Sequence, residues 1–318
     1  MSEHLLSSGI NIRAATLEDI EGLQELFNVY EIMLHGTAGP SQKYIRHLLQ
    51  GFGDNLKADT WLVQSPKKQV IGFAFVVQLH HVKIYFDVIV HPEYNGRHID
   101  IVLLHRIEER IRQLTTAAES GAQLTLHTQV SDCNLVWQRS LVQHGFREVR
   151  RWWHMKIDLQ EETPAPQWSD GIHLMTIKPE MKQMVYEAFI ETFQDRWGFI
   201  APEYEEWQRD TVQRDDFDPS LWFLAMDGEQ VAGFAFCRGG GKGQVGIVDK
   251  LGVRCPWRRR GIALALLHTV FREFYRRGTH TVILGVDSQS ETGAVQLYQR
   301  VGMWMEKETI SYEKEIRR

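Results

Sequence analysis

The sequence predicts an α/β protein built from two copies of one unit. Two six-residue segments, 70–75 and 231–236, share the motif Gly-Phe-Ala-Phe, and their glycines are 161 residues apart. Candidate first strands at Ile10 and Ile172 keep nearly the same spacing, and a helix-like stretch follows each of them. A fixed spacing over several landmarks indicates an internal repeat, which must be found before any fold is assigned.

The remaining elements of each copy follow in the same order. Alternating apolar residues around a turn predict a hairpin in each copy, and the second hairpin contains an Asp-Gly turn at Asp227. Strongly β-like runs close at Val90 and Val253, 163 residues apart, and a helical pattern follows each run. A last amphipathic helix ends just before Gly145 in one copy and Gly302 in the other.

Two domains follow from this repeat and from the chain length. At about 150 residues per domain, 318 residues correspond to two domains. The prolines and polar residues of 161–168 are typical of a linker. We therefore predict one domain over residues 1–160 and a second over residues 161–318.

Composition excludes several classes of protein. Hydrophobic residues make up 43% and charged residues 24% of the chain, the balance of a globular protein. No apolar run approaches the roughly 20 residues that span a bilayer, and the start lacks a signal-peptide pattern. The three cysteines are far apart and form no disulfide framework, so we expect a cytoplasmic protein. The net charge of −5 argues against a nucleic-acid partner, and we expect no membrane partner.

The most informative segment lies in the second copy. The sequence pattern predicts a strand over residues 245–253 and a tight basic turn over residues 254–263. It predicts a helix with one apolar face in the residues that follow. A helix start presents unpaired N–H groups and partial positive charge, which suit an anion such as pyrophosphate. Gly261 and Ala263 would let a ligand approach the backbone closely. A solvated basic helix start is the alternative interpretation.

The pattern Arg258-x-x-Gly261-x-Ala263 resembles the acyl-CoA signature of the GNAT superfamily of N-acyltransferases, Q/R-x-x-G-x-G/A. The downstream residues agree with it: a strand over 281–287 and a helix that carries Leu-Tyr shortly before Gly-Met. Residues 192–207 resemble the segment that marks tandem GNAT proteins akin to mycothiol synthase. The resemblance extends over essentially the whole chain.

The resemblance implies two tandem GNAT folds, each a twisted, mixed and mostly antiparallel sheet flanked by helices. It implies a degenerate first domain, structural or cleft-forming, and a second domain that binds acetyl-CoA as co-substrate. The implied reaction is direct transfer of an acetyl group to a primary amine in a ternary complex. The alternative is a protein that binds or senses acyl-CoA without catalysis.

The resemblance also implies the residues that bind CoA. The backbone around Leu251, Gly252 and Val253 would bond the pantetheine arm where this strand splays from its neighbour, and one N–H would face the thioester oxygen. The pyrophosphate would be held by the turn residues Arg258, Arg259, Arg260, Gly261, Ile262 and Ala263. Where relatives have an asparagine, this chain has Ser290 beside Glu291, and either side chain could replace that contact.

Two residues are candidates for proton transfer. Tyr298 matches the family tyrosine that protonates the CoA sulfur, although a tyrosine packed in the core is the alternative. Asp249 occupies the position of a carboxylate that takes the amine proton, or else one that only orients substrate or caps a loop. Strand alternation predicts that Asp249 shares a face with Leu251 and Val253.

The first copy departs from this pattern. Asn95, His98 and Asp100 stand where the second copy has Arg258, Gly261 and Ala263, and Leu141 stands in the place of Tyr298. A carboxylate and a bulky imidazole at this turn would repel or block an anion. We therefore expect the first copy to have lost both the phosphate turn and the acid.

The sequence says less about the residues that bind the amine acceptor. The segment expected to line it is rich in acidic residues: Glu203, Glu205, Glu206, Asp210, Asp215, Asp216 and Asp218. An acidic cleft would attract a cationic acceptor, either a small-molecule or polyamine-like amine or an N-terminal or lysine amine, whereas a solvated acidic helix face is the alternative. His80, His81 and His91 cluster without carboxylates at metal-site spacing, so we expect no metal. The sequence predicts no particular oligomeric state.

Overall fold

The computed structural model describes residues 9–79, 83–117 and 124–316. Two of the clustered histidines, His80 and His81, lie outside these residues. The chain divides into two compact units. Unit 1 comprises Met1–Arg151 with Thr309–Arg318, and unit 2 comprises Trp152–Glu308.

The helices and strands of the second half of the chain follow nearly the same order as those of the first half, as the repeat predicts. The described strands are β1 Asn11–Arg13, β2 Thr60–Gln64, β3 Val70–Leu79, β4 Lys83–Val90, β5 Leu124–Ser131, β6 Arg147–Asp158, β7 Ile172–Thr176, β8 Trp222–Asp227, β9 Gln230–Gly239, β10 Val245–Val253, β11 Thr281–Asp287 and β12 Trp304–Ile316. The described α-helices are α1 Ile20–His35, α2 Gln42–Gly51, α3 Leu56–Asp59, α4 Ile99–Ala117, α5 Leu135–Gln143, α6 Lys182–Phe193, α7 Tyr204–Asp210, α8 Ile262–Arg276 and α9 Ala294–Arg300.

The sheet of unit 1 has the strand order β1-β2-β3-β4-β5-β12. Neighbouring strands are antiparallel except β4 and β5, which pair in parallel over Lys83–Tyr85. The last strand of this sheet comes from the far end of the chain, because residues from Thr309 to Ile316 of β12 pair with β5.

The sheet of unit 2 has the order β7-β8-β9-β10-β11-β6. The strands are again antiparallel except for one pair, β10 and β11, which run in parallel. Residues Trp152 to Asp158 of β6 supply the edge strand beside β11. The predicted mixed, mostly antiparallel sheet flanked by helices is therefore confirmed for each unit, while the compact units have bounds that differ from 1–160 and 161–318.

Helices pack on both faces of the unit 2 sheet and enclose two apolar clusters. On one face, α8 buries Leu267, Val270, Phe271 and Phe274 against β9, β10 and β11, while Leu264 of the same helix is only partly buried. Full burial of such a side chain contributes about 1.5–3 kcal/mol to folding. On the other face, α6 and α7 cover a cluster that includes Phe234, Phe236 and Trp222. The layers thus hold β10 and the start of α8 in fixed positions.

The structure also describes the conformation of the predicted linker and the lengths of the helices. Residues 161–168, predicted as a linker, contain neither helix nor strand. Among the helices in the described part of the chain, none is both long enough and apolar enough to cross a bilayer.

Candidate active site

Strands β10 and β11 separate at one end of the unit 2 sheet. Their parallel ladder runs from Val245 and Thr281 to Val248 and Leu284 and stops there. Beyond this point β10 still pairs with β9 as far as Val253, and β11 still pairs with β6. The edge of β10 that faces β11 is therefore open over its last residues, and its backbone N–H and C=O groups are available to a ligand.

A register shift in β10 marks the point of separation. Val248 lies opposite Cys237, and Lys250 lies opposite Phe236, so Asp249 is an extra residue on this strand. Such a β-bulge bends its strand and redirects the side chains that follow. The bulge brings Lys250 onto the sheet face covered by α6.

The prediction that Asp249 shares a face with Leu251 and Val253 is wrong, because the bulge interrupts the alternation. Leu251 and Val253 pack against the cluster beneath α8. The exposed Asp249 instead accepts a hydrogen bond at Oδ2 from Arg238 Nε, at 2.6 Å. Arg238 lies two residues after Phe236 in β9, on the face toward α6.

The basic turn has a backbone suited to an anion. A short 3-10 helix, Cys255–Trp257, leads into the exposed residues before α8. Arg259 and Gly261 both have positive φ, 64° and 77°. Alternation between positive and negative φ turns successive N–H groups toward one point, and the first N–H groups of α8 have no partner within the helix. A Cβ at Gly261 would meet no atom within 4 Å, so the space above this residue is open.

The three arginines of the turn have different surroundings. Arg258 Nε donates to the carbonyl of Val253 at 3.0 Å and ties the turn to β10. Arg260 donates to the carbonyl of Asp170 at 3.1 Å and lies 3.7 Å from an Asp227 carboxylate oxygen. Arg259 has no ion pair among the residues that the structure describes. Arg259 is therefore the arginine whose charge is least compensated.

The other predicted CoA-binding residues lie around this turn and strand. Gly252 is buried, and a Cβ there would lie 2.6 Å from Thr192 Cγ2 and 2.7 Å from Phe234 Cζ, so only glycine fits. Ile262 is buried at the first position of α8, and Ala263 beside it is partly exposed. Ser290 is partly buried in the loop before α9, and its hydroxyl is bonded to Thr292 Oγ1 at 2.8 Å.

Tyr298 lies in α9 and packs against the cluster beneath α8. Burial raises the pKa of its hydroxyl to about 12, although the positive charge of Arg196 lowers it. The phenol is therefore protonated at neutral pH and can act as a proton donor. Tyr298 is both a core residue and a candidate acid, so the two interpretations drawn from its sequence position are compatible.

Two basic residues that the sequence did not single out, Arg196 and Lys250, also lie here. The Arg196 guanidinium lies 5.0 Å from the centre of the Trp152 ring and 5.8 Å from that of Phe193. Burial lowers its pKa, although Asp287 and Tyr298 act in the opposite direction. Burial also lowers the pKa of Lys250, and the charge of Arg196 adds to this effect. The bulge that turns Lys250 toward α6 has no signal in the sequence.

The acidic segment is partly neutralised by ion pairs. Asp216 pairs with Arg214 at 2.8 Å and lies 3.7 Å from Arg238. Asp218 pairs with Arg277 at 2.6 Å and caps the short helix that follows it. Arg238 and Arg277 are distant in sequence, so they were absent from the prediction of an acidic cleft. This pairing weakens the attraction of the segment for a cation.

Unit 1 contains a turn of the same backbone form. Gly96 and His98 have positive φ, 79° and 62°, and α4 begins directly after them. Asn95, Gly96 and Asp100 line a small cavity that is partly open to solvent and also contacts α1 and α5. The cavity is a feature that the sequence did not reveal. Its carboxylate, Asp100, stands on the first turn of α4, where an anion would otherwise bind.

Within residues 9–79, 83–117 and 124–316, no group of three or more His, Cys, Asp or Glu side chains is placed to hold a metal ion. His91 is buried, and its Nδ1 accepts a hydrogen bond from the Glu93 N–H at 3.3 Å.

The geometry agrees with known acetyltransferases. Residues 182–303 match the Acetyltransferase (GNAT) family. A GCN5-related N-acetyltransferase from Sphaerobacter thermophilus is 32% identical in sequence, and its crystal structure superposes with a TM-score of 0.87 over 98% of both chains.

Two further relatives extend the comparison. A mycothiol acetyltransferase of Thermobispora bispora is 27% identical over 226 residues, 68% of this chain and 71% of that protein. A tandem GNAT protein from the clavulanic acid biosynthesis pathway has 14% identity, and its structure matches 96% of this chain and 98% of its own with a TM-score of 0.71. This last similarity concerns the fold alone. The family match and the Sphaerobacter relative show that the chain belongs to the GCN5-related N-acetyltransferase (GNAT) family and is an acyltransferase.

Proposed function

We propose that unit 2 transfers an acetyl group from acetyl-CoA to the primary amine of a small molecule, directly and within a ternary complex. The observation that carries this proposal is the open edge of β10 beyond Val248, which leads straight into the turn before α8. One end of a bound acetyl-CoA would meet the open backbone edge and the other a helix N-terminus. The mycothiol acetyltransferases among the relatives support a small-molecule amine as acceptor.

The turn would hold the pyrophosphate of the co-substrate. Its positive φ values at Arg259 and Gly261 orient N–H groups, and the partial positive charge of α8 favours an anion. Arg259 would add a charge-assisted hydrogen bond. The open backbone between Leu251 and Val253 would bond the amides of the pantetheine arm in the manner of an added strand.

The chemistry then requires four changes of bonding. The amine nitrogen attacks the thioester carbonyl carbon, and an N–H at the bulged end of β10 stabilises the resulting oxyanion. A proton passes from the nitrogen to the Asp249 carboxylate, directly or through a water molecule. The carbon–sulfur bond breaks, and Tyr298 gives its proton to the departing thiolate. The products are an acetylated amine and CoA.

The two proton carriers differ in their environment, as these roles require. Asp249 is exposed, and Arg238 holds one of its carboxylate oxygens. Tyr298 is buried, and its raised pKa of about 12 keeps the proton in place until the thiolate forms. General acid–base catalysis of this kind needs a base that is ionised and an acid that is protonated at the same pH.

A coupled assay tests the proposal. The purified protein is mixed with acetyl-CoA and a panel of small primary amines, and free thiol is measured together with the acetylated amine by mass spectrometry. We expect amine-dependent thiol release that is lost in Tyr298→Phe, with acetyl-CoA affinity retained. Full activity in Tyr298→Phe would contradict the assigned acid, and release of thiol without any acetylated amine would contradict transfer to amines.

A further inference from the structure

We propose that the acceptor amine carries an anionic group, a carboxylate or a phosphate, and that Arg196 and Lys250 bind it. The inference rests on the proposed function, because it names the chemical class of the acceptor in the same site. The sequence suggested that the acidic segment attracts a cationic amine. In this inference, two basic side chains attract an anionic group of the amine instead.

Lys250 lies at the point where β10 leaves β11. It faces Phe236 of β9 on the sheet side that α6 covers, one residue after the bulge. The turn that leads into α8 belongs to the opposite side of the sheet, where Leu251 and Val253 pack. Lys250 is therefore placed on the acceptor side of the opening and not on the CoA side.

Arg196 lies in the segment after α6, and its charge acts on Lys250 at this opening. Aromatic rings position its guanidinium, with Trp152 at 5.0 Å and Phe193 at 5.8 Å. Its positive charge acts on both Lys250 and Tyr298, so it lies within electrostatic reach of the acid. The side chain is exposed although protein surrounds it closely enough to lower its pKa, a combination typical of a residue that lines a cleft.

The nearby carboxylates do not form ion pairs with these two cations. Asp249 acts on Lys250 and Asp287 acts on Arg196, but both do so from beyond ion-pair distance, and Asp249 is held by Arg238 at 2.6 Å. Neither Arg196 nor Lys250 has a carboxylate within 4 Å among the described residues. Two like charges that protein partly shields from water are unfavourable without a counter-charge, and a bound anion supplies one.

The positions of Arg196 and Lys250 would also favour the acetyl transfer itself. Binding of an anionic group at Arg196 and Lys250 would fix one end of the acceptor and direct its amine toward the thioester. The two positive charges also disfavour an ammonium ion at this place, so the amine is held in the neutral form that can attack. The guanidinium suits planar, two-point recognition of a carboxylate or phosphate.

Matched pairs of amines test the proposal by binding, without turnover. The protein is saturated with CoA, and its Tm is measured with O-phosphoethanolamine against ethanolamine and with β-alanine against β-alaninamide. We expect a larger rise in Tm with the anionic member of at least one pair. The rise should disappear in Arg196→Gln and Lys250→Gln and become smaller in Arg196→Lys, because lysine keeps the charge but loses the two-point geometry. The rise should persist in the control Lys242→Gln, an exposed lysine before the other end of β10.

Equal shifts for both members of each pair, or shifts that survive in both glutamine variants, would overturn the inference. The pair that responds identifies carboxylate or phosphate as the preferred anion. Each variant must keep the CoA affinity of the wild type, which shows that its fold and CoA site are intact.

Measurement of turnover distinguishes failure of this inference from failure of the proposed function. With acetyl-CoA, we expect kcat/KM for the anionic amine to exceed that for its neutral partner about tenfold, the contribution of one charge-assisted hydrogen bond. Arg196→Gln should remove this preference, so that kcat/KM becomes similar for the two members of each pair, whereas the control Lys242→Gln should keep the preference. Thiol release without such a preference overturns the inference and leaves the proposed function standing. Absence of thiol release from every amine would count against the proposed function, while the Tm comparison still decides the inference.

Discussion

The two turns before α4 and α8 have the same backbone and different side chains. Positive φ occurs at Gly96 and His98 in one turn and at Arg259 and Gly261 in the other. In both, a short 3-10 helix precedes the turn and a long α-helix follows it. The conformation does not depend on the residue types, since histidine and arginine adopt angles that usually favour glycine.

The side chains decide what each turn can bind. The turn of unit 1 presents Asp100 on the first turn of its helix, whereas Ala263 takes that place in unit 2. Leu141 and Tyr298 are both buried in the last helix of their units, but only Tyr298 carries a proton donor. The comparison teaches that packing preserves the fold of a duplicated unit, and that a few exposed or polar side chains carry the chemistry.

The largest expected effect comes from the acid. Tyr298→Phe should lower kcat by roughly 10²-fold, because general acid catalysis contributes on this scale, while acetyl-CoA affinity stays unchanged. Steady-state kinetics and calorimetry measure the two quantities. The matched variant Leu141→Tyr in unit 1 should add no activity, and a gain of turnover there would show that unit 1 needs only an acid.

The turns themselves can be exchanged. Gly261→His places in unit 2 the residue that unit 1 carries, and the example of His98 shows that a folded turn accommodates it. We expect acetyl-CoA affinity to fall at least about tenfold, because the imidazole occupies the approach to the backbone N–H groups. Calorimetry provides the affinity, and an unchanged value would refute the assignment of this turn.

The reverse substitution in unit 1 is the control for Gly261→His. His98→Gly should stabilise unit 1 slightly, by about 0.5–1 kcal/mol, since glycine adopts positive φ without strain. Thermal unfolding checks the sign. No second acetyl-CoA site should appear, because Asp100 still occupies the helix start.

A smaller effect distinguishes the arginines. Arg259→Gln should weaken acetyl-CoA binding roughly two- to fivefold, and added salt should reduce the difference, because an exposed charge is screened. Arg260→Gln should weaken binding less, since Arg260 already bonds the Asp170 carbonyl and lies near Asp227. An equal loss in both variants, measured by titration at two ionic strengths, would contradict this ranking.

The smallest expected effect concerns pH. Burial raises the pKa of Tyr298 from 10.0 to about 12, so the phenol stays protonated between neutral pH and pH 10. We expect no decline of kcat in that range from loss of the acid, and a falling limb near pH 10 that Tyr298→Phe removes would contradict it. Because the folded pKa is the higher one, stability from this group is complete below pH 10 and is lost above it.

Much of the fold could be predicted from the sequence. The repeat, the hairpin at Asp227, the strand to Val253 and the apolar face of α8 depend on local patterns, and all are present. The exchange of edge strands could not be predicted. Pairing of β12 with β5 and of β6 with β11 depends on contacts between residues far apart in the chain, which no local pattern contains.

The candidate site was predictable only in part. The turn residues and Tyr298 follow a motif, and the structure places the turn directly before α8 and Tyr298 in the core cluster beneath that helix. The face of Asp249 was assigned wrongly because a bulge adds a residue to β10 without a sequence signal. Lys250 was overlooked for the same reason, and Arg196 because only the fold brings it beside Tyr298.

The central claim is that unit 2 binds acetyl-CoA and unit 1 does not. Calorimetric titration of acetyl-CoA into the wild type and into Gly261→His tests it most directly. We expect one site per chain in the wild type and none in the variant at the same concentrations. Two sites in the wild type, or one site that survives in Gly261→His, would contradict it and assign binding to the turn before α4.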